Sequence, residues 1–239
     1  MGPDVLDRPV GPPPSPELPR RSSGRELFEA ACVAVVFALY VRTFLVQAFE
    51  VPTPSMEKTV LVGDHVLVNK FVFGPHAGGP LDRLLPYRAI RRGDVLVFKY
   101  PAGPERDFIK RVVALPGDVV AIRDKELFVN GARQSEPRVF HSDGLVRADD
   151  PLLSASYRQR DQVSPSAVPA GTYFTLGDNR DDSNDSRFWG PVPAGHVKGR
   201  ALFVYWSLPP EGPGPGGTLR RLLRLFTRIR WERTLLPVR

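Results

Sequence analysis

Short runs of β-branched and aromatic residues, each ended by glycine or proline, dominate the chain after residue 50. Runs of this composition and length predict strands. No helical pattern of comparable length follows residue 49 within this part of the chain. We therefore predict a mainly β domain over residues 50–208. Its expected strands are 94–100, 108–114, 119–122, 173–176, 201–206, and two short strands within 60–69 that meet at Gly63 and Asp64.

The segment 127–132 predicts a hairpin, because Asn130 and Gly131 are the residue pair that a tight two-residue turn prefers. Residues 140–168, by contrast, show no clear period. We interpret 140–168 as a surface excursion without regular structure.

The N-terminal part of the chain differs in composition. Residues 1–24 contain seven prolines together with glycine and serine, which predicts a disordered tail. The following run, 27–41, is apolar apart from Glu29, and arginines precede it at 20, 21 and 25. A run of fifteen residues, one of them charged, is shorter than the roughly 20 of a full span, so a cleaved signal peptide and a buried core helix compete with a membrane anchor. The upstream arginines favour one transmembrane helix over 25–49 with a cytoplasmic N-terminus, in which Arg42 reaches the far interface.

The C-terminal part contains a Pro/Gly linker at 209–217 and a basic segment at 218–239. Its apolar residues fall at helical spacing between arginines: Leu219, Leu222, Leu223, Phe226 and Ile229. This pattern predicts a short amphipathic helix, which would lie either on an anionic membrane surface or against the β domain.

The net charge of +7 suggests an anionic partner, and the positions of the arginines decide which kind. They concentrate before the apolar run and after residue 220, whereas the middle of the chain has mixed charge. Membrane lipid is therefore the expected partner, and nucleic acid is not. The single cysteine, Cys32, excludes an intrachain disulfide, and the four histidines form no metal-binding pair, so we expect neither a metal nor a cofactor.

The most unusual polar stretch is Gly177–Gly190, which reads GDNRDDSNDSRFWG. A calcium loop beginning at Asp181 would need glycine at Ser186 and glutamate at Val192, and its arginines would repel a cation. The interpretation that we favour is a packed polar turn whose charges pair with one another and hold side chains in place for chemistry.

Two residues are candidates for that chemistry. Ser55 follows two prolines in the sequence PTPSM, with Thr53 two residues before it, and this segment could equally be a linker beside the membrane. Lys110 alternates with Phe108 and Val112 on a predicted strand. If Lys110 faces the core, the loss of solvation lowers its pKa and makes it a general base for a serine hydroxyl; if it faces outward, it is an ordinary surface lysine.

The order of these motifs resembles that of bacterial type I signal peptidases. Four blocks match in sequence order within about residues 30–206, and RWER at 230–233 is similar to the family's terminal signature. The blocks are 42–56, 63–70, 91–118 and 177–190. The resemblance implies antiparallel sheets behind one N-terminal transmembrane helix.

The resemblance also implies the roles of the site residues. Ser55 matches the nucleophile and Lys110 the general base, while Thr53 and the Ser55 backbone N–H match the oxyanion hole. Ser183 matches a serine that hydrogen-bonds and orients the lysine amine, and Met56 matches a residue beside the nucleophile that we expect to bind substrate. The expected scaffold of the site consists of Asp178, Asn179, Arg180, Asp185 and Arg187.

One position departs from the family, which commonly has Pro-Thr-Leu where this chain has Lys58, Thr59 and Val60. The implied protein is a monomeric endopeptidase of the bacterial inner membrane that removes signal peptides from preproteins on the outer side. Two alternatives remain at this point: a self-cleaving repressor-type peptidase with the same Ser/Lys chemistry, and an inactive membrane-tethered β module.

Overall fold

The computed structural model describes residues 23–73, 88–146, 152, 154–210 and 227–239. Within these ranges the chain separates into two compact units that meet in sequence at Tyr40 and Val41. The first contains helix α1 (Ser23–Tyr40), in which no residue is buried. Among the described residues, no helix combines the length and the apolar character that crossing a membrane requires.

The second unit is mainly β, as predicted. Its strands are β1 (Val46–Glu50), β2 (Asp64–Asn69), β3 (Val95–Lys99), β4 (Asp107–Ala114), β5 (Val119–Arg123), β6 (Glu126–Val129), β7 (Ala132–Arg133), β8 (Val163–Ala167), β9 (Thr172–Leu176), β10 (Val192–Pro193), β11 (Val197–Ser207) and β12 (Leu236–Pro237). Two short helices, α2 (Ala155–Asp161) and α3 (Ser186–Trp189), connect strands.

The described strands form two antiparallel sheets. The larger sheet has the order β1-β2-β11-β3-β4-β9-β10, with β12 paired to β11, and the smaller has the order β7-β6-β5-β8. Strands β4 and β5 follow each other directly in the chain but belong to different sheets, and buried residues such as Val113 and Val120 share one core cluster. A second cluster, which includes Val51, Met56 and Val66, lies beneath the segment that contains Ser55.

The predicted hairpin is confirmed. Asn130 and Gly131 have φ values of 53° and 79° between β6 and β7, the left-handed conformation that a tight turn of this type requires at both positions.

The segment 60–69 forms one strand, not the two predicted. Residues 60–63 are a turn in which the Leu61 N–H donates to the Asp64 carboxylate at 2.8 Å. Gly63 has φ +84°, and a Cβ there would overlap the carbonyl oxygen of Leu208. Position 63 therefore requires glycine, because the backbone at residue 208 approaches it closely, and the strand begins only after this turn.

The prediction of a continuous anchor helix to residue 49 was wrong at its C-terminal end. The helix ends at Tyr40, a π-helical turn follows at Val41–Leu45, and residues 46–50 are strand β1. Every residue of β1 pairs with β2, from Val46 with Asn69 to Glu50 with His65. Pairing with β2 outweighs the helical continuation that the apolar composition suggested.

The interpretation of 140–168 as irregular was wrong in part, because this stretch contains α2 and β8. Strand β8 pairs with β5 at the edge of the smaller sheet. An edge position tolerates Pro165, and the strand's polar, exposed sequence lacks the apolar alternation that would have predicted it.

The described residues 227–239 do not contain the predicted C-terminal helix. Positions 211–226, which include most of the predicted linker and the first part of the predicted helix, lie outside the described residues. The predicted disordered tail lies outside them as well, at 1–22. Residues 231–233 form a short 3₁₀ turn, and β12 follows. Ile229 and Val238 are buried. The described end of the chain therefore packs on the β domain as a turn and a strand, and the choice between the two predicted positions of the helix stays untested.

Candidate active site

Ser55 lies on a tight turn that follows β1. Thr53 is extended, with φ −129° and ψ 152°, and Pro54–Met56 form one turn of 3₁₀ helix. Proline at the first position of this turn has the fixed φ that a helical start needs. The turn buries Ser55, which is 4% exposed, and brings its Oγ within 3.3 Å of the Thr53 Oγ1.

The amine of Lys110 contacts the Ser55 hydroxyl directly. Lys110 Nζ lies 2.6 Å from Ser55 Oγ and donates a second hydrogen bond to the Ile109 carbonyl at 3.0 Å. Fifty-five residues separate the two side chains in sequence, and β4 and the 3₁₀ turn bring them together. Lys110 faces inward, which is one of the two orientations that the sequence left open, and is 3% exposed.

Burial changes the acid–base behaviour of this amine. Loss of solvation is the largest effect and lowers the pKa of Lys110 from 10.5 to about 8, with the nearby Arg187 charge acting in the same direction and Asp185 opposing it. At neutral pH a lysine with this pKa is deprotonated in roughly one molecule in ten, against about one in a few thousand for an ordinary lysine. The group can therefore accept a proton from the hydroxyl that it contacts.

A cavity of about 240 Å³ opens onto the two side chains. Its walls come from β1, the Ser55 turn, β4 and the polar loop, and include Phe49, Thr53, Ile109 and Asp182. The reactive atoms thus lie at the edge of a space that a short extended peptide could enter.

The polar loop Gly177–Gly190 is a self-paired turn, as predicted. Asp185 and Arg187 form an ion pair at 2.8 Å with both side chains almost completely buried. Burial alone would raise the pKa of the Asp185 carboxyl, but the charge and hydrogen bonds of Arg187 hold that pKa below its usual range. Arg187 also donates to the carbonyls of Arg180 and Arg160, both at 2.6 Å, so one side chain fixes the path of the loop.

Backbone contacts join this loop to the nucleophile turn. The Asn179 N–H donates to the Ser55 carbonyl at 3.1 Å, and its side chain donates to Glu57. A Cβ on Gly177 would overlap both the Ser55 carbonyl oxygen and the Ser183 hydroxyl. Arg180 donates to the Gly177 carbonyl at 3.2 Å and pairs with Glu136, which secures the loop from the other side.

Sequence reasoning missed a second arginine–aspartate pair. Arg111 contacts Asp178 through two hydrogen bonds of 2.7 and 2.6 Å, and Thr59 donates to the same carboxylate. Arg111 follows Lys110 and therefore points to the opposite face of β4. Only its place next to the candidate base could have suggested a role.

Two predicted site residues occupy other positions. The predicted hydrogen bond from Ser183 to Lys110 is not formed: the amine contacts Ser55 and Ile109, while the buried Ser183 hydroxyl interacts with the Asp185 carboxylate and helps to lower its pKa. Met56 is completely buried in the core cluster with Val51 and Val60, so its side chain cannot bind substrate in this structure. A 3₁₀ turn directs the side chains of adjacent residues differently, and Met56 points inward.

The fold and the site define a class of protein in which antiparallel sheets present a serine hydroxyl to a buried, low-pKa lysine. The family model described as "Signal peptidase, peptidase S26" matches residues 24–206. The chain belongs to this family, which confirms the resemblance inferred from the motifs.

Individual relatives agree with the family model. The chain is 37% identical over 209 residues to signal peptidase I of Pseudomonas aeruginosa, covering 78% of this chain and 72% of that protein. It is 32% identical to signal peptidase I of Aquifex aeolicus, covering 79% and 89%, and 33% identical to signal peptidase I V of Bacillus subtilis, covering 72% and 93%.

Proposed function

We propose that the protein is a membrane-anchored serine endopeptidase that removes N-terminal signal peptides from exported preproteins. The observation that carries the proposal is the 2.6 Å contact between the Lys110 amine and the Ser55 hydroxyl, with both groups buried. Family membership and relatives named signal peptidase I support the substrate class. Membership of the S26 family favours this function over a self-cleaving repressor, and the short contact favours it over an inactive module.

The proposed reaction is acyl transfer. Neutral Lys110 takes the proton of the Ser55 hydroxyl as Oγ attacks the carbonyl carbon of the scissile peptide bond. The protonated amine then gives that proton to the departing amine nitrogen, which leaves an ester on Ser55. Lys110 next takes a proton from water as the water attacks the ester, and returns it to Oγ when the acyl group leaves.

In both steps a negative charge develops on the carbonyl oxygen of the substrate, and hydrogen-bond donors must stabilise it. We assign this role to the Thr53 hydroxyl and the Ser55 backbone N–H. The Thr53 Oγ1 is 3.3 Å from Ser55 Oγ and lines the same cavity, which supports the assignment. Removal of one such donor typically lowers kcat by about 10²–10³-fold.

The membrane part of the proposal depends on α1. In the described part of the chain the large apolar side chains of this helix are exposed; Leu27 is 73% exposed and Phe37 66% exposed. Exposed apolar surface of this extent is unfavourable in water and favourable in lipid. We propose that the segment places the N-terminus in the cytoplasm and the β domain on the outer side of the inner membrane, where preproteins emerge.

The test uses the full-length protein in detergent with a purified preprotein. Ser55→Ala and Lys110→Ala should each lower the cleavage rate by about 10³-fold or more, because each removes a group on which the attack depends. Ser166→Ala and Lys99→Ala change an exposed serine on β8 and an exposed lysine on β3 and should retain activity. Wild-type cleavage rates in Ser55→Ala or Lys110→Ala would exclude the mechanism.

A further inference from the structure

The cavity beside Ser55 contains two carboxylates that differ in their pairing. Asp107 and Asp182 both line it. Asp107 lies 2.6 Å from the Lys198 amine, so a cation of the protein already balances its charge. Asp182 is exposed and has no ion pair or hydrogen bond through its carboxylate within the described ranges.

Asp182 is also unlike the other aspartates of its loop. The other three each have a basic partner: Asp178 pairs with Arg111, Asp181 with Lys125, and Asp185 with Arg187. Those pairs are almost buried and connect the loop to β4, to Lys125 and to itself. Asp182 contributes nothing to this network and instead places its charge at the cavity.

Lys110 is not bonded to Asp182 in this structure. Its amine is already bonded to Ser55 and Ile109, and it must lose its charge to act as a base. The Asp182 charge does affect it, since it is among the groups that raise the pKa of Lys110. The carboxylate therefore remains available to a group that enters the cavity from solution.

We propose that Asp182 makes the site select for a lysine or arginine side chain next to the scissile bond and against an acidic one. The inference rests on the proposed function and adds a specificity-determining residue to it. An exposed ion pair shifts an equilibrium by roughly 1.5- to 5-fold. Since attraction of lysine and repulsion of glutamate act together, the expected ratio of kcat/KM for lysine against glutamate is about 3- to 10-fold.

The experiment compares three signal-peptide substrates that differ at one residue, which is lysine, glutamine or glutamate. One series varies the second residue before the scissile bond and another the first residue after it, with alanine kept one and three residues before the bond. The full-length protein in detergent is measured as wild type and as Asp182→Asn. We expect the wild type to show the lysine preference in at least one series and Asp182→Asn to reduce the ratio to about one. Because any effect of Asp182 on Lys110 is common to all substrates, it cancels in this ratio.

Two further variants serve as matched controls. Asn184 also lines the cavity, so Asn184→Asp should increase the lysine preference. Glu232 is exposed and is not a cavity residue, so Glu232→Gln removes the same charge and should leave the ratio unchanged. Salt should weaken the wild-type preference, as it does for exposed charges.

The outcomes separate the two proposals. Cleavage of the glutamine substrates by wild type but not by Ser55→Ala, with a lysine-to-glutamate ratio near one in both series, overturns the role of Asp182 alone. So does a wild-type ratio that survives in Asp182→Asn. Failure of the wild type to cleave any substrate, or cleavage by Ser55→Ala, overturns the proposed function and this inference with it.

Discussion

Two buried cations in the same site have opposite surroundings. The Arg187 side chain is 1% exposed and lies against the Asp185 carboxylate at 2.8 Å. The Lys110 amine is buried to a similar degree, but its hydrogen-bond partners are a hydroxyl and a carbonyl, which carry no charge. A paired carboxylate offsets the loss of solvation, whereas neutral acceptors offset it only in part.

The difference shows how one site provides both a scaffold and a base. Around Arg187 the charges are balanced, and the loop is held by charge-assisted hydrogen bonds. Around Lys110 the imbalance favours the neutral amine and lowers its pKa to about 8. The contrast predicts that the two cations will respond differently to mutation and to pH.

Breaking the balanced pair should have the largest effect on stability. Asp185→Asn leaves the buried Arg187 charge without its partner, and loss of one member of a buried pair typically costs about 3–5 kcal/mol. Urea denaturation should show this decrease in the free energy of unfolding. Glu126→Gln breaks the exposed pair with Arg133, whose side chains are 45% and 66% exposed, and should cost less than about 1 kcal/mol. Equal losses in the two variants would contradict the contrast.

Removing the unbalanced cation should stabilise the protein. Because the folded pKa of Lys110 is near 8 and its ordinary value is 10.5, the charged amine costs the folded state about 3 kcal/mol below pH 8. Lys110→Met should therefore raise the free energy of unfolding by up to about 3 kcal/mol at pH 7 while abolishing activity.

The stability that Lys110→Met gains over the wild type should depend on pH. Between pH 8 and 10.5 the unfolded wild type binds a proton that the folded protein does not, so wild-type stability rises with pH across this window. The advantage of Lys110→Met should shrink over the same range, as urea titrations at pH 7, 8, 9 and 10 would show. Wild-type kcat/KM should rise about tenfold per pH unit below 8 and level off above it. A pH-independent stability difference would contradict the depressed pKa.

The sequence predicted the strands whose pattern is local and missed those that depend on a partner. Strands β3 and β4 have β-branched or aromatic residues between clear turn signals, and both were found within one residue of their predicted ends. Strand β1 follows the apolar helix α1 after only five residues, and β8 is short and polar. Strand β1 is stabilised by pairing with β2, and β8 by pairing with β5. The sequence of one strand alone does not reveal such a partner.

The candidate site divides in the same way. The motif order identified Ser55 and Lys110, and the structure brings them into contact. The roles of Arg111 and Thr59 were not predictable, because their contacts with Asp178 span 67 and 119 residues and depend on how β4 and the polar loop meet. The predicted hydrogen bond from Ser183 to Lys110 was wrong. Which hydroxyl the amine contacts depends on where the turn around Ser55 places its side chain, and residue types alone do not determine that position.

Within the site, the smallest effect is expected where a charge pair keeps both of its members and loses only the neutral side chain that bonds to them. Thr59 donates to the Asp178 carboxylate and accepts a hydrogen bond from Arg111 at 3.2 Å, but Arg111 still holds that carboxylate through two hydrogen bonds after the change Thr59→Val. The cost should be about 1.5–3 kcal/mol, as for hydrogen bonds to charged groups, with a several-fold loss of kcat because Thr59 follows the nucleophile turn closely. Thr59→Ser keeps the hydroxyl and should restore both, measured by urea denaturation and preprotein cleavage. If Thr59→Val instead cost as much as Asp185→Asn, the stabilisation of this site would reside in its neutral contacts and not in its paired charges.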